Sequence, residues 1–298
     1  MAGAPISDTG LRHRAEQLAA PLPPLLVAAE RVAATVAQGV HGRRRVGTGE
    51  TFWQFRRYES GDSAATIDWR ESAKRQSLFI RQNEWEAAES VWLWRDASPS
   101  MRYRSNFADA EKIDRANLIL LALAVLLIRG GERVALLGDG NAPTTGRAAL
   151  DRLAATLLLS DAPAADASLP PITDLPRFAQ MVLIGDFLSP FTEIAALVRA
   201  YAAAGVKGHL LQVLDPAEED LPFSGRTRFE GLEGEGTHTV GRADALREQY
   251  GERIRRRRLA LGDLCHAVGW GFAGHRTDRP PQTALLALYG ALSGGLTW

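Results

Sequence analysis

The sequence contains little cysteine and little lysine. In 298 residues there is one cysteine, Cys265, and there are three lysines, Lys74, Lys112 and Lys207. A single thiol cannot form an intrachain disulfide or supply the ligands of a structural zinc site, which is typical of a cytosolic protein. The preference for arginine over lysine indicates no function by itself.

The chain also lacks net charge and long hydrophobic runs. Its 35 basic and 35 acidic residues cancel, so no overall charge attracts it to nucleic acid or to an anionic membrane. The longest apolar run, 118–128, has 11 residues, whereas a membrane-spanning helix needs about 20, so the run predicts a buried core helix. With no signal-peptide pattern at the N-terminus, we expect a soluble cytoplasmic protein without a membrane anchor or nucleic-acid partner.

An alternation of strand-like and helix-like segments begins near Glu89. This pattern predicts an α/β fold with a doubly wound, mainly parallel sheet and helices on both faces. The predicted strands are 90–94, 133–137, 180–184, 208–213 and 270–273, and the predicted helices are 112–128, 147–159, 191–204, 243–268 and one after Pro281. Residues 7–38 predict two N-terminal helices separated by prolines, and 221–240 a hairpin or excursion from the sheet.

Oxygen-bearing side chains follow the first predicted strand of this sheet. Asp96, Ser98 and Ser100 form a D-x-S-x-S pattern, in which one carboxylate and two hydroxyls can turn toward a common point. Oxygen ligands of this kind suit hard divalent cations such as Mg²⁺. A simpler interpretation, in which these residues only make a turn and cap the next helix, stays open.

A second carboxylate is expected at the same sheet edge. Asp186 follows the predicted strand 180–184, and parallel strands end at one edge of a sheet, where doubly wound folds bind their ligands. Thr144 and Thr145 precede the predicted helix 147–159. Either threonine can supply a further hydroxyl or serve as the helix N-cap.

This arrangement resembles the metal-ion-dependent adhesion site of von Willebrand factor A domains, a likeness that extends over roughly two thirds of the chain. The resemblance implies a divalent cation, Mg²⁺ or another such as Mn²⁺ or Ca²⁺, held by Asp96, Ser98, Ser100, Asp186 and one of Thr144 and Thr145. It also implies that an acidic side chain of a partner protein completes the coordination.

A second set of motifs precedes the D-x-S-x-S strand. It includes R-x-Y-x-x-G-D ending at Asp62, I-D-W ending at Trp69, and Ala73-Lys74-Arg75. In this order the motifs resemble the signature of a bacterial family known as domain of unknown function 58. The residues taken as its structural signature are Arg57, Tyr58, Gly61, Asp62, Asp68 and Trp69. We expect Arg57, Asp62, Asp68 and Arg75 to form a charge network against which Tyr58 and Trp69 pack, with an architectural role.

The resemblances together predict three segments and a function. The segments are 1–44, an N-terminal helical segment and linker, 45–85, the family signature, and 86–298, the von Willebrand factor A-like domain. Family members are commonly encoded beside MoxR-type AAA+ ATPases, which implies a non-catalytic, metal-assisted adaptor or scaffold that helps such an ATPase remodel or mature a complex with an unidentified client protein. The common phosphate-loop, dinucleotide and nucleophile-elbow motifs are absent from the sequence, and a Mg²⁺-dependent phosphoester hydrolase using Asp96 and Asp186 is the alternative.

Overall fold

The computed structural model describes residues 22–40, 51–58, 67–74, 77–84, 90–159, 168–234 and 236–292. By their contacts, these residues form two compact units. The larger unit contains residues 22–40 together with everything described from residue 90 onward, and the smaller contains the described residues between 51 and 84.

Nine strands and eight helices are present in these residues. The strands are β1 (Thr51–Arg57), β2 (Phe79–Glu84), β3 (Ser90–Arg95), β4 (Arg133–Leu136), β5 (Gln180–Gly185), β6 (Lys207–Leu214), β7 (Thr227–Glu230), β8 (Thr237–Val240) and β9 (Gly271–Arg276). The helices are α1 (Leu22–Val40), α2 (Trp69–Ser72), α3 (Lys112–Arg129), α4 (Arg147–Leu159), α5 (Phe191–Ala203), α6 (Pro216–Asp220), α7 (Arg247–Ala267) and α8 (Pro281–Leu292).

The larger unit is organised around a five-stranded parallel sheet in the order β4-β3-β5-β6-β9. The register aligns Arg95 of β3 with Ile184 of β5, and Ile184 with Leu211 of β6. Strands β3 and β5 therefore end at the same edge of the sheet. The residues that follow them, Asp96 and Asp186, emerge side by side.

Helices cover both faces of this sheet. Side chains alternate between faces along a strand, so Val91 and Leu93 of β3 pack in a core with α1, α3, α4 and α8. Trp94, on the opposite face, packs in a second core with α5 and α7. Helix α3 lies deep in the first core, where its apolar run Leu118–Ile128 is almost entirely buried.

The predicted α/β fold, with a mainly parallel sheet and helices on both faces, is confirmed. The five sheet strands lie within a few residues of their predicted bounds, because each is a short apolar run between polar turns. Residues 221–240 contain the β7–β8 hairpin, an antiparallel excursion from the sheet.

At the N-terminus the structure describes one helix, α1, with Pro23 and Pro24 in its first turn, where a missing amide donor costs no hydrogen bond. The preceding predicted helix lies outside the described residues. Helix α1 packs against α3, α8 and α4, so its contacts group it with the larger unit.

The smaller unit contains the described part of the family signature. Strands β1 and β2 pair antiparallel; the Tyr58 amide donates to the Leu78 carbonyl oxygen at 2.9 Å, and the Asp68 amide donates to the Phe79 carbonyl oxygen at 2.9 Å. Trp69 is 65% exposed, and its packing against the charge network stays a prediction, because half of that network lies outside the described residues. Gly61, Asp62 and Arg75 lie outside the described residues.

A close approach in the sheet leads to the first prediction. A Cβ atom at Gly208 would overlap the ring of Trp270, which is buried and fixed by a 3.0 Å hydrogen bond from Nε1 to the Val206 carbonyl oxygen. We expect Gly208→Ala to lower the free energy of unfolding by about 1–3 kcal/mol through overpacking. Urea denaturation measures the change.

The matched control is Gly262→Ala in the interior of α7. A Cβ there meets only Phe272, at 3.7 Å, and alanine is the better helix former. We therefore expect this variant to raise the free energy of unfolding by about 0.5–1 kcal/mol. A Gly208→Ala variant as stable as the wild-type protein would contradict the packing described for β6 and Trp270.

Candidate functional site

The D-x-S-x-S residues form a compact turn at the end of β3. One carboxylate oxygen of Asp96, Oδ1, accepts a hydrogen bond from the Ser98 amide at 2.8 Å. The Ser98 hydroxyl lies 3.0 Å from the Ser100 hydroxyl and makes no capping bond to the 3-10 turn that follows. The turn therefore orients both hydroxyls toward each other and away from helix capping.

Asp186, at the end of β5, joins this cluster directly. Ser100 donates its hydroxyl to Asp186 Oδ2 at 2.6 Å, and the Leu188 amide donates to Asp186 Oδ1 at 3.1 Å. Gly185 permits the approach, because a Cβ at that position would lie 2.8 Å from the Asp96 Cβ. Four of the predicted ligands, Asp96, Ser98, Ser100 and Asp186, thus come together at one sheet edge.

The central group of the cluster is the Lys112 ammonium, which was not predicted from the sequence. Lys112 is the first residue of α3 and its side chain is fully buried. Its Nζ donates to Asp186 Oδ2 at 2.9 Å and to Glu218 Oε1 at 2.6 Å. The amino end of a helix carries partial positive charge, which disfavours a cation there, so these two carboxylates are what stabilise the ammonium.

Glu218 is held in place by its own short helix. It is the third residue of α6, and its Oε2 accepts a hydrogen bond from the Asp215 amide at 2.9 Å. The Asp215 side chain in turn caps α6, completing a capping box, and also accepts from the Ser105 amide at 2.9 Å. The sequence Asp215-Pro216-Ala217-Glu218 therefore directs the remaining oxygen of Glu218 to Lys112.

The two aspartates have opposite pKa shifts. Burial raises the pKa of Asp96 to about 7, and the charge of Asp186 adds to the rise. Burial would also raise the pKa of Asp186, but Lys112 and the hydrogen bond from Ser100 outweigh it and hold that pKa below its usual value. Asp186 is therefore the anion that pairs with the ammonium.

The pKa of Lys112 is itself raised. Burial alone would lower this pKa, yet the nearby charges of Asp186 and Glu218 outweigh burial and lift it above the usual value of lysine. The ammonium is therefore a permanent charge at neutral pH. Arg95, beside the site in sequence, instead donates to the Asn117 side chain at 2.7 Å and to the Leu157 carbonyl oxygen at 2.9 Å.

The structure does not bring Thr144 or Thr145 into the cluster. Thr144 pairs through its backbone with Val134 of β4, and Val134 is aligned with Val91 near the start of β3. Val91 precedes Asp96 by five residues, about 16 Å along an extended strand. The segment before α4 runs back along β4. Both threonines therefore lie toward the amino ends of the strands, whereas the cluster lies at their carboxyl ends.

The remaining side chains do not fit the predicted divalent cation as they are arranged. Asp186 Oδ2, which would face a metal, already accepts hydrogen bonds from Ser100 and from the Lys112 ammonium. A Mg²⁺, Mn²⁺ or Ca²⁺ ion beside it would meet a fixed positive charge a few ångströms away. Across the described residues, no group of three His, Cys, Asp or Glu side chains could hold a metal ion. The cation of this cluster is Lys112.

A cavity of about 460 Å³ opens beside the cluster. Ser100, Asp186 and Glu218 lie in its wall, next to the aromatic ring of Tyr250 from α7. The β7–β8 hairpin and its flanks supply the far wall, including Phe229. The cluster therefore faces a concave surface that can receive a ligand.

These features define a parallel α/β domain with a ligand-type cavity at the carboxyl edge of its sheet. Residues 54–260 match the family described as protein of unknown function DUF58, and because the match covers more than half of the chain, the protein belongs to this family. No curated protein matches the chain.

Three solved bacterial structures are also similar to the chain, each over 70% of its length. An aerotolerance-related membrane protein from Bacteroides fragilis is 16% identical, is covered over 100% of its own length and has a TM-score of 0.38. The conserved hypothetical protein BatB from Bacteroides thetaiotaomicron is 14% identical, covered over 98%, with a TM-score of 0.38. An uncharacterized membrane spanning protein from Vibrio fischeri is 14% identical, covered over 98%, with a TM-score of 0.20.

The cytoplasmic location predicted from the sequence is corrected by this finding. Two of the similar structures are described as membrane proteins, so the cytoplasmic prediction is wrong and is not kept. In the part of the chain that the structure describes, no helix is both long and apolar enough to cross a bilayer.

The buried ion pairs lead to the second prediction. We expect Lys112→Met to lower the free energy of unfolding by about 3–5 kcal/mol, because Asp186 and Glu218 are left buried without their counter-ion. Urea denaturation followed by circular dichroism measures the loss.

Two further variants test whether that loss of stability comes from the unpaired carboxylates. Lys207→Met removes an exposed lysine and should change stability by no more than about 0.5 kcal/mol. Adding Asp186→Asn to Lys112→Met should restore part of the stability, since one unpaired charge is then gone. Equal stability of Lys112→Met and Lys207→Met would show that the ammonium does not support the cluster.

The third prediction concerns metal. Because Lys112 already supplies the positive charge, millimolar Mg²⁺ or EDTA should leave the thermal unfolding midpoint of the wild-type protein unchanged. In Lys112→Met the same Mg²⁺ should raise the midpoint, because a bound ligand stabilises the folded state by mass action. Differential scanning fluorimetry measures both midpoints. If Mg²⁺ raised the midpoint of the wild-type protein and Asp96→Ala abolished that rise, the site would bind metal and the prediction would be wrong.

Proposed function

We propose that this protein is a non-catalytic, protein-binding adaptor or scaffold that uses the cavity beside the Lys112 cluster. The observation that carries the proposal is a preformed concave surface of about 460 Å³ at the carboxyl edge of the sheet, the usual ligand position in doubly wound folds. The metal assistance expected from the sequence is not part of the proposal, because a lysine holds the central carboxylate.

The composition of the cavity wall supports binding of a polypeptide. Leu188 and Leu232 are large apolar residues in this wall, yet they are 43% and 48% exposed. Exposed apolar residues grouped with aromatic rings are typical of protein-interaction surfaces. Burial of these two leucines by a partner would contribute binding energy of the ordinary hydrophobic kind.

A phosphoester hydrolase, the alternative from the sequence, has less support. Such an enzyme needs a carboxylate that can hold a metal or accept a proton from water. Both oxygens of Asp186 already accept hydrogen bonds, from Ser100, Leu188 and Lys112. Asp96 is 1% exposed and lies behind the residues that line the cavity.

We further propose a MoxR-type AAA+ ATPase as the partner, with an unidentified client protein. This part rests on the family resemblance of the sequence motifs, since such ATPases are commonly encoded beside family members. An adaptor for an ATPase needs a rigid docking surface and no chemistry of its own. The ion pairs and hydrogen bonds around Lys112 connect several residues of the cavity wall, which favours a rigid surface.

The fourth prediction is that the ATPase is captured through this cavity. Leu232→Lys places a charge on an exposed apolar position of the wall and should weaken capture of the MoxR-type ATPase from the same genome by about tenfold, a typical effect of disrupting an interface centre. Capture is measured by pull-down with purified proteins.

Leu286→Lys is the matched control, because Leu286 on α8 is 46% exposed and lies outside the cavity wall. Its capture should equal that of the wild-type protein. Equal capture by all three proteins would reject the cavity as the docking site, and absence of capture by the wild-type protein would reject the ATPase as the partner.

A further inference from the structure

The β7–β8 hairpin is a separate sheet of only two strands. Arg228 and Glu230 of β7 are exposed, and so are Thr237 and Thr239 of β8. A hairpin of two strands is marginally stable in water, and a third strand stabilises it. Neither strand contains a proline, and their pairing has no bulge. The hairpin therefore lacks two of the features that commonly prevent another strand from adding to an edge.

The backbone of β7 has free hydrogen-bonding groups along its outer edge. The Gly231 amide donates to the Gly236 carbonyl oxygen at 2.8 Å, and opposite residues of an antiparallel pair alternate between hydrogen-bonded and non-hydrogen-bonded positions. Counted back from Gly231, Arg228 and Glu230 are at non-hydrogen-bonded positions, so their amides and carbonyls point away from β8. These groups have no other partner among the described residues.

This outer edge of β7 borders the cavity. Phe229 and Glu230 are consecutive, and consecutive side chains of a strand point to opposite faces. Both residues lie in the cavity wall, which contains no residue of β8 among those described. A cavity that borders both faces of β7 and does not reach β8 lies along the edge of β7 that is not paired.

A polypeptide in extended conformation fits this edge best. Its backbone can pair with the free groups of β7, and apolar side chains at alternate positions can contact Leu188 and Leu232 in the same wall. Asp186 and Glu218 set no requirement for a charged ligand, because all four of their carboxylate oxygens already accept hydrogen bonds within the protein.

We infer that an extended segment of a partner protein adds to the outer edge of β7 as a third strand, with alternate apolar side chains in the cavity. This inference rests on the proposed function and gives the partner's mode of contact. In this mode main-chain hydrogen bonds supply affinity, and the alternate side chains supply selectivity.

The test follows the backbone amides of the full-length ¹⁵N-labelled protein by NMR as the blocked peptide acetyl-Thr-Leu-Thr-Leu-Thr-amide is added. We expect solvent exchange of the Arg228 and Glu230 amides to slow about tenfold at saturation, as formation of a hydrogen bond does. Exchange at Thr237 and Thr239 on β8 should stay unchanged. The same peptide with every residue N-methylated has no backbone donors and should bind about tenfold more weakly.

Two proline variants distinguish the two edges of the hairpin. Arg228 and Thr239 lie opposite each other at a non-hydrogen-bonded position. Proline at either residue therefore removes an outward amide and leaves the hydrogen bonds between β7 and β8 in place. Arg228→Pro should weaken peptide binding about tenfold, whereas Thr239→Pro and Arg228→Ala should bind the peptide like the wild-type protein.

The inference is wrong if millimolar peptide does not slow exchange at Arg228 and Glu230, or if the N-methylated peptide binds equally well. Slowed exchange at Thr237 and Thr239 alone would place the added strand on β8, which also rejects it. Slowing at Arg228 that grows with protein concentration in the absence of peptide would show that a second copy of this chain occupies the edge, and would reject a partner segment.

The outcome is separable from that of the proposed function. Loss of ATPase capture in Leu232→Lys, together with wild-type capture by Arg228→Pro, would keep the cavity as the docking site and reject strand addition. Slowed exchange with the peptide, together with no capture of the ATPase by the wild-type protein, would keep strand addition and reject the ATPase as the partner.

Discussion

The buried ammonium of Lys112 is the interaction on which the carboxyl edge of the sheet depends. Asp186 comes from the loop after β5 and Glu218 from α6; the side chain of Asp186 is 3% exposed and that of Glu218 is 18% exposed. Carboxylates so placed repel each other and lose hydration, a cost that a counter-ion inside the same space offsets. Lys112 supplies that charge from the first turn of α3, and so ties the loops after β5 and β6 to the central helix.

The fold could be predicted from the sequence because its signals are local. In strand Gln180–Gly185, for example, the residues Met181–Ile184 form an uninterrupted apolar run that is followed by a polar turn. The run Leu118–Ile128 is apolar on every face, as a fully buried helix must be. The β1–β2 pair was not predicted; β1 contains the strand-favouring residues Thr51, Phe52, Trp53 and Phe55, but β2 is polar after Ile80 and carries no such pattern. Pairing of that kind is decided by contacts between distant segments.

The site was predicted only in part, for a physical reason. Four of the site residues could be predicted because the carboxyl ends of parallel strands meet at one edge of the sheet, independently of the loop conformations. They are Asp96, Ser98, Ser100 and Asp186. Lys112 was missed because nothing in its neighbourhood marks a lysine as buried; its position depends on how α3 crosses the sheet. Glu218 could have been found from the sequence, because Asp215-Pro216-Ala217-Glu218 is a capping-box pattern directly after β6. Thr144 was wrongly predicted to reach the site, because its segment runs antiparallel to β4, away from the carboxyl ends of the strands.

The positive charge of Lys112 is covalently part of the chain, which affects when the site becomes complete. A metal ion must be acquired from the surroundings, and it can be lost again when its supply falls or when a chelator competes for it. A lysine arrives with the polypeptide, in fixed proportion, in every copy. The ion pairs at this edge of the sheet therefore form together with the fold, in every copy of the chain.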